Sequence, residues 1–226
     1  MTPQTWPCPL PGGAIAEEYA LCFDAGRKWR LLIVPALFDE GNKLRRLTVE
    51  VMRRIDAAGI DCFLPDLPGC NESLQPLEVQ TAQDWRDAMT AAARHFGATH
   101  ALGVRGGGMV MPDGLPGWRY APVKGATILR QLLRARIFAS REAGIEESAE
   151  TLMDAALTGG IELSGYRLGA EFVRDFQSLQ PVPSPRVQDI DQDMVGGSGL
   201  WLRAEPGDSR DQADALAAIL AIGIKQ

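Results

Sequence analysis

The chain is 226 residues long, 46% hydrophobic and 23% charged, an ordinary globular composition with enough apolar residues for one domain and a substantial core. Its formal net charge of −6 excludes a general nucleic-acid binder, although Lys43, Arg45 and Arg46 form a local basic cluster able to meet an anionic small molecule. The four cysteines (Cys8, Cys22, Cys62, Cys70) form no CxxC pair, and His95 and His100 are not spaced with them as a metal set, so neither a metal nor a cofactor is expected. The N-terminus has no basic segment followed by an apolar one, and no run approaches about 18 uninterrupted apolar residues. No membrane span is expected, and the reading is cytoplasmic with reduced thiols.

In chain order, residues 1–13 are proline-rich and read as irregular. "AIAEEYALCFD" and "WRLLIVPAL" then read as strands, and the continuous apolar run Leu31–Val34 marks a strand buried on both faces of a parallel sheet. Leu44, Leu47, Val51 and Ile55 recur at spacings of three and four, giving an amphipathic helix that ends at Gly59, before the strand "DCFLPDL". Strand, helix and strand make a βαβ unit with a right-handed crossover. A second helix, "VQTAQDWRDAMTAAARHFG", carries Thr81 as its N-cap and leads to the strand "THALGV".

After Arg105 this regularity stops. Only "GGGMVMPDGLPG" precedes the strand "WRYAPV", and its prolines and glycines do not sustain a helix, so a crossover helix is missing here. A long basic helix, "GATILRQLLRARIFASREAG", and a shorter acidic one, "EESAETLMDAALTG", read as a helical insertion over residues 125–160. The turn "SGYRLG" and the helix "AEFVRDFQSL" follow; "GLWLRAEPGD" reads as the last strand and "SRDQADALAAILAIGI" as the closing helix, capped by Asp208 or Ser209. The whole is one mostly parallel α/β domain, 1–226.

The segment from "VPALFDEGNKLRR" to "DLPGCNES" resembles the start of the α/β-hydrolase fold. Together with "LGVRGGG" and "APVKGATILRQLLR", it is similar to the exosortase A system-associated hydrolases of type 2, which sit with exopolysaccharide and protein-sorting systems in Gram-negative bacteria. The resemblance implies a nucleophile at the centre of Gly103-Val104-Arg105-Gly106-Gly107, where these enzymes carry G-x-S-x-G. Here the centre is Arg105, and a guanidinium stays protonated and does not attack an acyl carbon. The fold also places its catalytic histidine after the nucleophile, whereas both histidines here precede residue 105. A Ser-His-Asp mechanism is thereby excluded, and Glu205 and Asp208, near the usual place of a triad acid, have no histidine to orient.

Two readings of Arg105 stand side by side. With Gly106, Gly107 and Gly108 it is able to form an anion-holding nest at a strand end; equally, it is a buried structural arginine paired with Asp39, Glu40 or Asp66. In "FDEGNKLRR" the N–H groups near Ala36 to Phe38 are expected to face the cleft, with Asn42, Lys43 and Arg46 on one polar helix face; the alternative is a solvated helix start with Asp39 and Glu40 at the positive dipole end. Cys70 at the cleft edge is a nucleophile only if a cation such as Arg105 or Lys43 lowers its pKa, and otherwise a packing residue. The expected function is a non-catalytic α/β-hydrolase-like protein of an exosortase or exopolysaccharide system. It would bind an anionic small molecule, or a protein partner or second copy through the 125–141 helix. The alternative is an active ester or thioester hydrolase or acyltransferase, using Cys70 or activated water with Arg105 as anion clamp.

Overall fold

Side chains alternate across a strand, so a strand apolar at every position has to be covered on both faces. In the computed structural model, which describes residues 1–226, β3 (Arg30–Val34) is such a strand from its second residue on: Leu32 and Val34 join one core, Leu31 and Ile33 the other. The main sheet has seven strands in the order β1 (Thr2–Pro9), β2 (Ile15–Phe23), β4 (Asp61–Pro65), β3, β5 (His100–Val104), β6 (Gly117–Tyr120) and β9 (Val187–Ile190). The β1–β2 and β2–β4 pairings are antiparallel and the other four are parallel.

The helix faces follow from crossover handedness. α1 (Asp39–Ala57) carries the chain from β3 to β4 and buries Leu44, Leu47, Val51 and Ile55 on one face of the sheet, beside α7 (Arg210–Lys225). α2 (Ala82–His95) carries it back from β4 to β5 on the opposite face, where Trp85, Ala88, Met89 and Ala92 are buried. A right-handed path that reverses its direction along the sheet changes face. Thr81 caps α2 with a full capping box, accepting from the Asp84 N–H at 3.1 Å while the Asp84 carboxylate accepts from the Thr81 N–H at 2.8 Å.

Between β6 and β9 the chain makes a long excursion over the α2 face. α3 (Gly125–Glu142) and α4 (Ala149–Gly159) fall within the region read as an insertion. The hairpin of β7 (Ile161–Leu163) and β8 (Tyr166–Leu168) and the helix α5 (Ala170–Ser178) continue it. Phe172 and Phe176 of α5 and Leu129, Leu132 and Leu133 of α3 join the same core as Trp85. Residues Arg105–Met109 form one 3-10 turn, and no helix connects β5 to β6. No helix of the protein is long and apolar enough to cross a membrane.

Two element assignments are corrected. Residues 2–9, read as irregular because of Pro3, Pro7 and Pro9, form an edge strand, where proline is tolerated; the alternation of buried Trp6 and Cys8 with exposed neighbours is its signature. "GLWLRAEPGD" contains no strand. Leu200 and Leu202 would share a face in a strand, yet Leu200 is fully buried and Leu202 is 72% exposed, and the segment forms a 3-10 turn. The last strand is instead β9, whose only apolar residues, Val187 and Ile190, give no period to recognise.

Thr81→Ala removes one half of the α2 capping box without touching the core. It is expected to lower stability by about 1 kcal/mol, read as a shift of the urea midpoint at unchanged m-value.

Candidate functional site

The chain leaves β5 at Val104 and turns at Arg105 with φ +51°, a left-handed conformation costing a residue with a side chain about 1–3 kcal/mol. Phe38, past the end of neighbouring β3, has φ +55°. The strained turn expected at a nucleophile position is therefore present, with an arginine on it.

Glycines fit this turn into the protein. A Cβ on Gly107 would stand 2.3 Å from the Pro35 carbonyl oxygen and 2.6 Å from that of Val34, and one on Gly106 would stand 2.7 Å from Ile128 Cδ1 and 3.0 Å from the Leu37 side chain. Glycine is needed because β3 and α3 press directly on the turn. The close approach expected of a ligand to Gly106 and Gly107 is made here by the protein's own chain.

Arg105 is 7% exposed, and its guanidinium is engaged on every nitrogen. Nε donates to Glu40 Oε2 at 3.0 Å, Nη2 to Glu40 Oε1 at 2.9 Å, and Nη1 to the Ala121 carbonyl at 2.6 Å. The Trp201 ring lies over the guanidinium carbon at 3.9 Å. Glu40, 6% exposed, stands in the first turn of α1, where the helix dipole also favours a carboxylate. Of the three acids considered as partners, Glu40 is the one that meets Arg105. Asp39 pairs with Lys43 at 2.8 Å, and Asp66 with Arg45 at 3.3 Å and Asn71 at 2.9 Å.

The polar face of α1 is also spoken for. Asn42 donates to the Tyr166 hydroxyl at 3.4 Å, and Arg46 reaches Asp208 at 3.1 Å. Phe38 is a buried aromatic hub, with ring centroids 5.1 Å from Tyr166, 5.7 Å from Phe176 and 5.8 Å from Trp85. A cleft of about 310 Å³ opens over this floor, lined by Leu37, Phe38, Glu40, Lys43, Ile128, Leu132 and Trp201. A smaller cavity of about 140 Å³ lies beside it and takes in Asn42, Cys70 and Tyr166.

Cys70 does not meet the condition set for a nucleophile. Burial pushes its thiol up to about 12, and the nearby carboxylates Asp66 and Glu18 push in the same direction. Its surroundings are acidic, and the lowering by Arg105 or Lys43 that a nucleophile would require is absent. His95 is the last residue of α2, and His100 is the first of β5, roughly 16 Å along the strand from the turn that follows it. Burial lowers the His100 pKa, and its ring stacks on Trp118 at 5.9 Å. Neither histidine takes part in the site. Glu205 lies in the loop before α7, whose N-cap is Ser209. Trp201 and the Ala121 carbonyl were not legible as parts of the site: the first sat in a segment read as a strand, and a carbonyl carries no sequence signal.

No family model matches the chain, and no curated protein matches it in sequence. Solved structures do resemble it. The chain aligns over 100% of its length with 99% of alpha/beta hydrolase domain-containing protein 10 from mouse, at a TM-score of 0.60 and 14% identity. It aligns likewise over 100% of both chains with DcsB, solved in complex with a substrate analogue, at a TM-score of 0.56 and 13% identity. Alpha/beta hydrolase GrgF from Penicillium sp. sh18 matches 84% of this chain with 79% of its own, at a TM-score of 0.51 and 16% identity. The protein has the α/β-hydrolase fold.

Two predictions test this geometry. Glu40→Ala strands a buried guanidinium and is expected to cost about 3–5 kcal/mol, whereas Glu40→Leu combined with Arg105→Leu recovers most of that loss in a double-mutant cycle of urea unfolding. Cys70, with a raised pKa, stays a neutral thiol at physiological pH. Its labelling by iodoacetamide is expected to climb only as pH approaches about 12, where an ordinary cysteine titrates near ~8.5; mass mapping of the labelled peptide reads the outcome.

Proposed function

We propose that this protein works by binding rather than by hydrolysis: a non-catalytic protein of α/β-hydrolase fold that engages a protein partner at the cleft mouth and along α3. The observation that carries the reading is the seat of Arg105. A residue that neither attacks nor transfers a proton occupies the nucleophile position, and its guanidinium is tied down by Glu40, the Ala121 carbonyl and the Trp201 ring. Arg105 has spent its charge on Glu40, so an anionic molecule there would have to displace a buried carboxylate. The cleft above is lined largely by apolar side chains, and Leu202 on its rim and Phe138 on α3 are exposed large hydrophobics, which suits a protein partner better than an anion. The likeness of "FDEGNKLRR", "DLPGCNES" and "LGVRGGG" to exosortase-associated proteins supports a partner from an exopolysaccharide or sorting system of a Gram-negative bacterium.

The enzymatic alternative needs an ionised Cys70 or a general base for water. The thiol is held neutral by burial and by carboxylates, and neither histidine reaches the turn. The purified protein is therefore expected to hydrolyse p-nitrophenyl butyrate and an acyl thioester no faster than buffer. Turnover that disappears in Cys70→Ala or Arg105→Ala would overturn the reading.

A further inference from the structure

A second group of arginines lies on the other side of the same turn. The connection from β5 to β6 would, as a right-handed crossover, place its helix on the α2 face, but only a 3-10 turn and the irregular residues 110–116 are there. Side chains alternate along β6, with Trp118 and Tyr120 in the α1–α7 core, so Arg119 points to the face where that helix is absent. Arg86 of α2 and Arg186, just before β9, reach the same place. Together with Gly108, Asp113 and Ser184 the three arginines line a concavity of about 100 Å³.

Their partners differ in a way that matters. Arg119 is buried and neutralised by Asp189 at 2.6 Å, with Nη1 on the Val182 carbonyl at 2.8 Å. Arg86 is held by the Met109 carbonyl at 3.1 Å and by Gln83 at 3.4 Å, and Arg186 by the Gly114 carbonyl at 3.2 Å. Neither Arg86 nor Arg186 forms an ion pair with a carboxylate. Carbonyls orient these two guanidinium groups without cancelling their charge, and each keeps N–H donors with no protein partner. Asp113, exposed on the rim and free of any ion pair, is the one acid lining the concavity, which leaves it net positive. Gly108 forms part of the floor: a Cβ there would stand 3.2 Å from the Arg119 stem.

We propose that this concavity is a binding site for a phosphoryl group, with Arg86 and Arg186 as its two charged donors. Its volume is that of roughly three water molecules, which suits a tetrahedral oxyanion; the remainder of a phosphorylated ligand would lie outside. Bidentate guanidinium recognition of phosphate is strong and directional, and two arginines free of carboxylate partners on one concavity suit it. The site is separate from the Arg105 cleft and holds whether or not that cleft is catalytic.

The test is calorimetric titration of the whole protein with inorganic phosphate and, separately, with glycerol 3-phosphate. Saturable binding at or below about 10 mM is expected for both. A further expectation is a loss of at least about tenfold in Arg86→Gln with Arg186→Gln, at unchanged circular dichroism and melting without ligand. Equal affinity for the two ligands assigns recognition to the phosphoryl head alone, and tighter glycerol 3-phosphate binding assigns it to a phosphate monoester. Arg130→Gln, a control on α3 away from the concavity, leaves binding unchanged. The proposal is overturned if neither ligand binds saturably, or if the double variant binds as the unmodified protein does.

Discussion

Arg105 and Glu40 meet where water is nearly excluded, and neither charge is tenable there alone. Their pairing ties together segments distant in sequence: the end of β5, the first turn of α1, the chain after β6 through the Ala121 carbonyl, and the 3-10 turn of Leu200–Leu202 through Trp201. Each contact is directional, and the cation–π contact adds up to about 2 kcal/mol when desolvated. The strained φ of Arg105 persists because its attachments to Glu40, Ala121 and Trp201 and the packed glycines around it over-determine the turn. An element that serves elsewhere to expose a reactive atom serves here as a structural joint.

Much of the architecture around that joint was legible from local patterns. The apolar run of β3, the helical spacing of α1, the capping signal at Thr81 and the breaker residues after Arg105 are all short-range features, and each corresponds to an observed element. What escaped depended on partners far along the chain. β1 is a strand because β2 pairs with it despite three prolines, and β9 because β6 offers an edge to a sequence with little strand character of its own. The site behaves in the same way. The need of a buried arginine for an acid could be stated in advance, but the choice among Asp39, Glu40 and Asp66 rests on helix phase: Glu40 faces inward from α1, while Asp39, one residue earlier, faces solvent and pairs with Lys43. For the same reason no sequence pattern joins Arg86, Arg119 and Arg186, which come from a helix, a strand and a loop about a hundred residues apart end to end.

The missing crossover helix accounts for features on both sides of the turn. A helix beginning at Arg105 would bring the positive end of its dipole to the strand end, the usual source of anion-stabilising potential in this position. A single 3-10 turn supplies little of that, and the positive charge present, the guanidinium of Arg105, is cancelled by a carboxylate that already enjoys the dipole of α1. The cleft above the turn is thus left without net attraction for an anion. On the other face, the same absence leaves a concavity lined by Arg86 and Arg186, neither of which is paired with a carboxylate. An uncancelled charge acts over several ångströms, while a tightly paired one presents only a dipole that fades much faster with distance. On the reading proposed above, anions are attracted behind the turn rather than above it, where binding would leave the Arg105–Glu40 joint intact.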